Sequence, residues 1–319
     1  MRLWLFLLCL LGLAPPAGAG CLTLTIKNLT VTQTFAGGTG EYNPFDTSTY
    51  TQTVGFDVYG GSTAVTCNYF LVLGTGGSNL ASQRILAFGG PSLKYNAYLD
   101  SSNSTIFPDF FSATLTTAIS GTFAAGTSNT TNHHSFTWTI APQQVKAATT
   151  TRYSDTAALT LYTGVLNLVF VQVDTKTITF QSKIDSNVNL SLVDTGSAFN
   201  LSDNLQTVDF GNLTSGAVQG FDIVVRSNDG YKITLQSANN QKMVYQGSAA
   251  YTDKIAYTMK VNGGLVDLSA GTAVSPVAVT GTTTAAGVAL PVVVTLGTLT
   301  GHETAGTYKD TITVTISAN

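Results

Sequence analysis

The chain has 319 residues, with 14 basic and 17 acidic side chains and a net charge of −3. Only 10% of its residues are charged and no basic stripe exists, which excludes a nucleic-acid binder of the electrostatic kind. Threonine is the most frequent residue and glycine is abundant, a composition for strands and turns rather than helices.

The first residues form a targeting pattern. Arg2 supplies positive charge, Leu3 to Leu13 is an apolar run, Pro15 and Pro16 break it, and Ala17-Gly18-Ala19 is a small-residue cleavage site. The run is too short to span a bilayer as a mature helix. Residues 1–19 therefore read as a signal peptide, and the mature chain is expected to be exported. Acylation of Cys21, as in a lipoprotein, is the other reading of this start, with Gly18 standing where a branched apolar residue is usual. No later stretch is long, apolar and uncharged enough for a membrane span.

Cys9 leaves with the signal, so Cys21 and Cys67 remain as an even pair in an oxidising compartment. Their bridge closes a loop of 46 residues, worth ~4 kcal/mol in the loop-entropy formula. A two-cysteine metal site lacks partners nearby, and no metal or other cofactor is expected.

A first domain is expected over 20–173. Leu22, Leu24 and Ile26 alternate with polar residues, giving a first strand with one buried face. A loop rich in glycine and aromatics follows, with Tyr42, Phe45 and Tyr50 as candidates for contact with a sugar or an apolar surface, or for a cap over the end of the fold. Val65 to Leu73, Leu93 to Tyr98, Phe136 to Ile140 and Tyr153 to Tyr162 read as further strands. Between them, Ile106-Phe107-Pro108-Asp109-Phe110-Phe111 is an apolar, loop-like stretch. Phe107, Phe110 and Phe111 are candidates for a protruding binding patch, the competing reading being core packing. His133-His134 is expected to be a solvated loop pair. The apolar run 165–173 is too apolar for a linker and is expected to pack as the strand that completes this domain.

The second domain, 174–319, repeats the order. Val188, Leu190 and Leu192 alternate with polar residues. Phe221–Val225 and Tyr231–Leu235 flank the turn Asn228-Asp229-Gly230, and Ile255–Met259 and Pro291–Leu296 follow. The closing Tyr308-Lys309-Asp310-Thr311 matches Tyr153-Ser154-Asp155-Thr156 about one domain length earlier. Ala157, Leu159 and Leu161 share a face in the first copy, as Ile312, Val314 and Ile316 do in the second. Nothing equivalent to 165–173 follows the second copy, so its last strand is expected to have an uncovered edge. Many short strands between turns make the chain all-β, two tandem immunoglobulin-like sandwiches, the second lacking its last strand.

These residues resemble the spore coat protein U domain of archaic chaperone–usher pilus subunits, over nearly the whole mature chain and in two copies. The resemblance runs through Cys21, the strand with Cys67, Arg84-Ile85-Leu86, Leu93-Lys94-Tyr95-Asn96 and Tyr153-Ser154-Asp155-Thr156. In the second domain it runs through Asp209-Phe210-Gly211, Ile255-Ala256-Tyr257, Leu290-Pro291-Val292 and Ala305 to Thr311. The second domain departs from the pattern in having no cysteine. Arg226 or Ser227 stands where the second is expected. The resemblance implies a groove, here lined by Val188, Leu190 and Leu192 on one side and Ile312, Val314 and Ile316 on the other. A periplasmic chaperone fills such a groove first, and an extended segment of an adjacent pilin replaces it at the outer-membrane usher. With Cys21 almost at the expected mature start there is no room for a donor segment. The chain is thus expected to accept a strand but not donate one, as a two-domain tip adhesin exported through the periplasm to a cell-surface fimbrium and serving attachment and biofilm formation. The alternative is a secreted carbohydrate-binding or coat protein of two complete sandwiches.

Enzymatic chemistry has little support. Glu41 and Glu303 are the only glutamates, and there is no Gly-x-Ser-x-Gly elbow. Asp155 and Asp310 precede strands, which suits turn-forming carboxylates that accept backbone N–H bonds.

Overall fold

The computed structural model describes residues 20–36, 41–166 and 168–319. The signal expected over 1–19 lies outside them. The described chain is all-β with curled sheets, and divides into two compact units. The first comprises residues up to 42, then 47–142 and 151–183; the second comprises 43–46, 143–150 and 184–319.

The first unit has ten strands: β1 (Thr25–Lys27), β2 (Thr32–Thr34), β3 (Thr51–Ser62), β4 (Cys67–Leu73), β5 (Ile85–Ala87), β6 (Ser92–Tyr98), β7 (Ile119–Phe123), β8 (Thr127–Ile140), β9 (Tyr153–Gly164) and β10 (Phe170–Ser182). They form one curled ladder in the order β1-β3-β8-β6-β5-β9-β10-β2, with β4 joining β9 to β7. Alternate residues of β3, β4, β8 and β9 point inward, as the period of two requires. They bury Val54, Phe56, Leu71, Leu73, Phe136, Trp138, Leu159 and Leu161 in one core. Cys21 and Cys67 are bridged, their Cα atoms 5.0 Å apart, which ties the start of the unit to the first residue of β4.

The second unit has β11 (Val188–Val193), β12 (Val218–Ser227), β13 (Tyr231–Ser237), β14 (Lys242–Tyr245), β15 (Lys254–Val261), β16 (Gly264–Val266), β17 (Val274–Val279), β18 (Val288–Leu296), β19 (Tyr308–Lys309) and β20 (Ile312–Ala318). One sheet runs β11-β12-β18-β15-β14-β19, with β16 on β15; the other is β17-β13-β20. Its core is built on Ile223, Val225, Ile233, Leu235, Met259 and Leu296.

Two sequence expectations change here. The strand laid along β9 is β10, and its buried side chains are Ile178 and Phe180, paired with Ala157 and Asp155. Among the described residues of the run 165–173, Leu168, Val169, Val171 and Val173 are exposed and only Leu166 is buried. The hairpin thus carries its apolar tip outward and fills the core with its less apolar stem. Second, the registers locate the counterpart of Cys67. Leu71 faces Leu161 as Ile233 faces Ile316. Counting back four residues on each strand, Asp229 occupies the place of Cys67, rather than Arg226 or Ser227. Asp229 lies in a turn held by its own N–H bond to Ser227 Oγ (3.1 Å).

Candidate functional site

The two Tyr-x-Asp-Thr copies build the same anchor. Asp155 accepts the Tyr95 hydroxyl at 2.8 Å and the N–H groups of Gly77 and Thr156, each at 2.8 Å. Gly76, at φ +67°, passes so close to this carboxylate that a Cβ there would lie 1.9 Å from Asp155 Oδ2, so only glycine fits. Asp310 accepts the Tyr257 hydroxyl at 2.6 Å, Ser237 Oγ at 2.6 Å and the N–H groups of Asn239 and Thr311. Burial first, and then the neighbouring carboxylate, push both phenols well above their ordinary range. Both aspartates are thus fixed acceptors that start the closing strand of their unit.

Beyond the anchor the units differ. In the first, β9 is paired on one side with β4 and on the other with β10 along its whole length. Ala157, Leu159 and Leu161 are fully buried. In the second, β20 is paired with β13 alone, and among the described residues no strand lies on its other edge. β11 is likewise an edge, paired only with β12. Some Cα atoms of β11 and β20 come within 8 Å of one another, yet no ladder joins the two strands.

Register tells which side chains line this cleft. Leu190 is opposite Val225 and Leu192 opposite Ile223, whose side chains are fully buried. Cross-strand partners share a face, so Val188, Leu190 and Leu192 face the core. Val314 and Ile316 lie opposite buried Leu235 and Ile233, so Ile312, Val314 and Ile316 also face it. All six are half-buried and rest on the core of the second unit.

The aromatic candidates separate. Phe107 is 0% exposed and packs against Phe136. Its carbonyl accepts from Arg84, which is fully buried and also donates to the carbonyls of Leu73, Gly74 and Ala81 and to Asn96 Oδ1. Phe107 is therefore a core residue and not a surface contact. Tyr42 and Phe45 are also buried. The Tyr42 hydroxyl donates to the Ala141 carbonyl at 2.9 Å, so its ring is held inward against Phe35. Tyr50 is half-buried.

Phe110 and Phe111 behave differently. Phe110, Phe70, Tyr162 and Phe170 form a small aromatic core of their own, closed by Ala113, Ala118 and Leu166. On it stands Phe111, 93% exposed, with its ring 5.6 Å from that of Phe110. Leu115, Leu168 and Val169 are exposed as well, Leu115 on the cavity of about 310 Å³ that Phe70, Ala118 and Leu166 also line. Sequence reasoning did not select Leu115, and it took Leu168 and Val169 for packed residues. Their signal was an apolar run beside Gly164, where the hairpin turns.

His133 and His134 lie within β8, not in a loop, and so point to opposite faces. His133 is exposed beside Asp57 (2.6 Å), while His134 Nε2 meets the Tyr69 hydroxyl at 2.8 Å and burial lowers its pKa. Among the described residues no group of three His, Cys, Asp or Glu side chains is placed to hold a metal, and no helix is long and apolar enough to cross a membrane.

No family model and no curated protein sequence matches this chain. Solved structures with similar architecture include adhesins of pili. One is the CsuE tip adhesion subunit held by its chaperone CsuC, from the archaic chaperone–usher Csu pili of Acinetobacter baumannii (14% identity, 79% of this chain and 85% of that one, TM-score 0.39). Another is the CupB6 tip adhesin of Pseudomonas aeruginosa (10% identity, 92% and 94%, TM-score 0.36). A third is CfaE, the adhesive subunit of CFA/I fimbria of enterotoxigenic Escherichia coli (12% identity, 92% and 81%, TM-score 0.30). These likenesses concern architecture, and the functional reading rests on the geometry of this chain.

Proposed function

We propose that the chain is a non-enzymatic adhesive subunit of a chaperone–usher fimbrium, placed at its tip. The second unit takes an extended segment from an adjacent pilin, after a periplasmic chaperone has held the same cleft and the usher has exchanged one for the other. The first unit makes the attachment that supports biofilm formation. The observation that carries this reading is the unpaired edge of β20 beside an apolar cleft, where the equivalent strand of the first unit is fully paired. An edge of this kind invites pairing with another chain. Strand addition satisfies it with main-chain hydrogen bonds and alternate side chains in pockets.

The exposed apolar side chains Phe111, Leu115, Leu168 and Val169 support the attachment half of the reading. Phe111 stands against the ring of Phe110, so little ordering of it is needed on contact. Full burial of each such side chain is worth about 1.5–3 kcal/mol. A coat or carbohydrate-binding protein of two complete sandwiches needs the second edge of β20 to be covered, and no described residue covers it.

The test is to append a short strand of alternating valine and threonine after Asn319 through a flexible linker. The appended protein is expected to be a soluble monomer, and Val314→Asp is expected to abolish that gain by placing a charge among apolar groups. Equal solubility with and without the strand would refute the reading. For the attachment half, Phe111→Ser with Leu115→Ser is expected to reduce adhesion to an apolar surface while leaving assembly unchanged.

A further inference from the structure

The connection from β11 to β12 follows an unusual path. Its first part lies on the outward face of the β11–β12 pair. Gly196 N–H donates to Asp222 at 2.8 Å, Asn200 N–H to Ser191 Oγ at 3.4 Å, and the Phe199 ring sits 4.4 Å under the Arg226 guanidinium. The chain then rounds the free edge of β11, where Leu192 N–H donates to the Asp203 carbonyl at 2.8 Å. After that edge, Val208, Phe210 and Leu213 turn back onto the core of the second unit. Val208 and Phe210 are half-buried while Thr207 and Asp209 between them are exposed, the alternation of an extended segment with one face inward.

This segment is weakly held. Among the described residues, none of 204–213 makes a backbone–backbone hydrogen bond, and Leu205 is 80% exposed. Extended backbone without partners and with few buried contacts belongs to the low-stability end of a fold. Its first residue is fixed at a defined end of the cleft by the Leu192–Asp203 bond. The β12–β13 turn and Ala318 mark one end of the sandwich. Leu192 and Ile312 both lie at the other, since Leu192 pairs with Ile223 and Ile312 with Ser237.

We infer that residues 203–213 are a provisional cover for the Leu192–Ile312 end of the cleft, which an incoming strand displaces. The inference rests on the reading of the cleft as a strand acceptor. The Leu192–Asp203 bond occupies an edge N–H that the incoming strand would otherwise take. Val208 and Phe210 shield core that the strand's side chains would otherwise cover. Displacement costs the cover one backbone bond and three half-buried apolar side chains, so it is a gate and not a lock. It also gives the unfilled unit a partial answer to its own exposed edge.

Hydrogen exchange and limited proteolysis on the full chain, with and without the alternating strand appended after Asn319, test this. Asn319 N–H is bonded to the Gly230 carbonyl, so the appended strand starts at the turn end and runs back towards Leu192. The expected result is that amides of β20 become protected while the segment 204–213 is cut about tenfold faster by a limiting protease than in the unextended chain. Protection of β20 with unchanged cleavage over 204–213 would overturn the cover but keep the acceptor. No gain of protection in β20 would overturn both. A second variant, Val208→Ser with Phe210→Ser, is expected to take up a synthetic alternating Val/Thr peptide about tenfold faster, with β20 fully protected once filled. Loss of β20 protection in the filled variant would show these side chains to be permanent core, against the proposal.

Discussion

Strands β9 and β20 begin alike, hanging an aspartate on a buried tyrosine phenol and on backbone N–H groups. Each then lays alternate apolar side chains against a matching strand, β4 or β13. They differ in what lies on the other edge. β10 covers β9, and the side chains of β9 are fully buried; nothing described covers β20, and its side chains are half-buried. The same local sequence signature thus builds a closed sandwich or an open one, and the deciding element is the neighbouring segment, not the strand itself. Where Ile178 and Phe180 are supplied in cis, the unit is complete. Where they are not, another chain has a place to enter.

Substitutions that remove the closing contacts of the first unit should have the largest effects. Phe180→Ala deletes a fully buried ring of the closing strand and should cost about 3–5 kcal/mol, read as a lowered denaturation midpoint of the first unit. The comparison sharpens with an equivalent pair: Leu159→Ala should cost about 2–5 kcal/mol. Val314→Ala, at the matching place on the open strand, should cost only about 1 kcal/mol until the cleft is filled. Equal losses at the two positions would break the comparison.

Next in size is the Cys21–Cys67 bridge, which has no counterpart in the second unit. Cys21→Ser with Cys67→Ser should destabilise the first unit by about 2–4 kcal/mol and leave the second unchanged. Limited proteolysis with fragment identification reads the two units separately. Asp310→Asn should cost about 2 kcal/mol, since it exchanges charge-assisted hydrogen bonds for weaker ones and turns an amide N–H group toward existing donors.

The smallest expected effect concerns acid. The Glu303 carboxylate accepts from Thr300 N–H at 2.7 Å and Gly301 N–H at 2.9 Å, and these bonds hold its pKa at about 2 against an ordinary 4.5. A depressed carboxylate pKa stabilises the fold above the unfolded value, and that contribution fades as pH falls from 4.5 towards about 2. The second unit should lose stability over that range, and Glu303→Gln should flatten the loss. An unchanged slope in an acid titration of the variant would rule this out.

Much of the fold is legible in the sequence because strand alternation is explicit. The Tyr153 and Tyr308 copies, the Cys21–Cys67 pairing and the inward faces of Val188–Leu192 and Ile312–Ile316 follow from a period of two and from an even cysteine count. The closing segment does not. The run 165–173 is more apolar than 174–182, so hydrophobicity selects the tip of the hairpin over its stem. The choice depends on the β9–β10 register, which local composition does not encode. Phe107, Phe110 and Phe111 share one short stretch, and Pro108 breaks the alternation that would have told inward from outward. The Arg84 donors that hold the Phe107 carbonyl come from elsewhere in the chain. The path of 203–213 was equally hidden: Asp209-Phe210-Gly211 stands out in the sequence, but nothing local says that Val208 and Phe210 turn back onto the core.

The central claim is that β20 has an unpaired edge where β9 has none. Residue-resolved hydrogen exchange on the unextended chain tests it most directly. Alternate amides along 312–318 should exchange like unpaired strand-edge groups, while those along 159–163, covered on both sides, stay protected. Uniform protection along 312–318, equal to that of β9, would contradict the account.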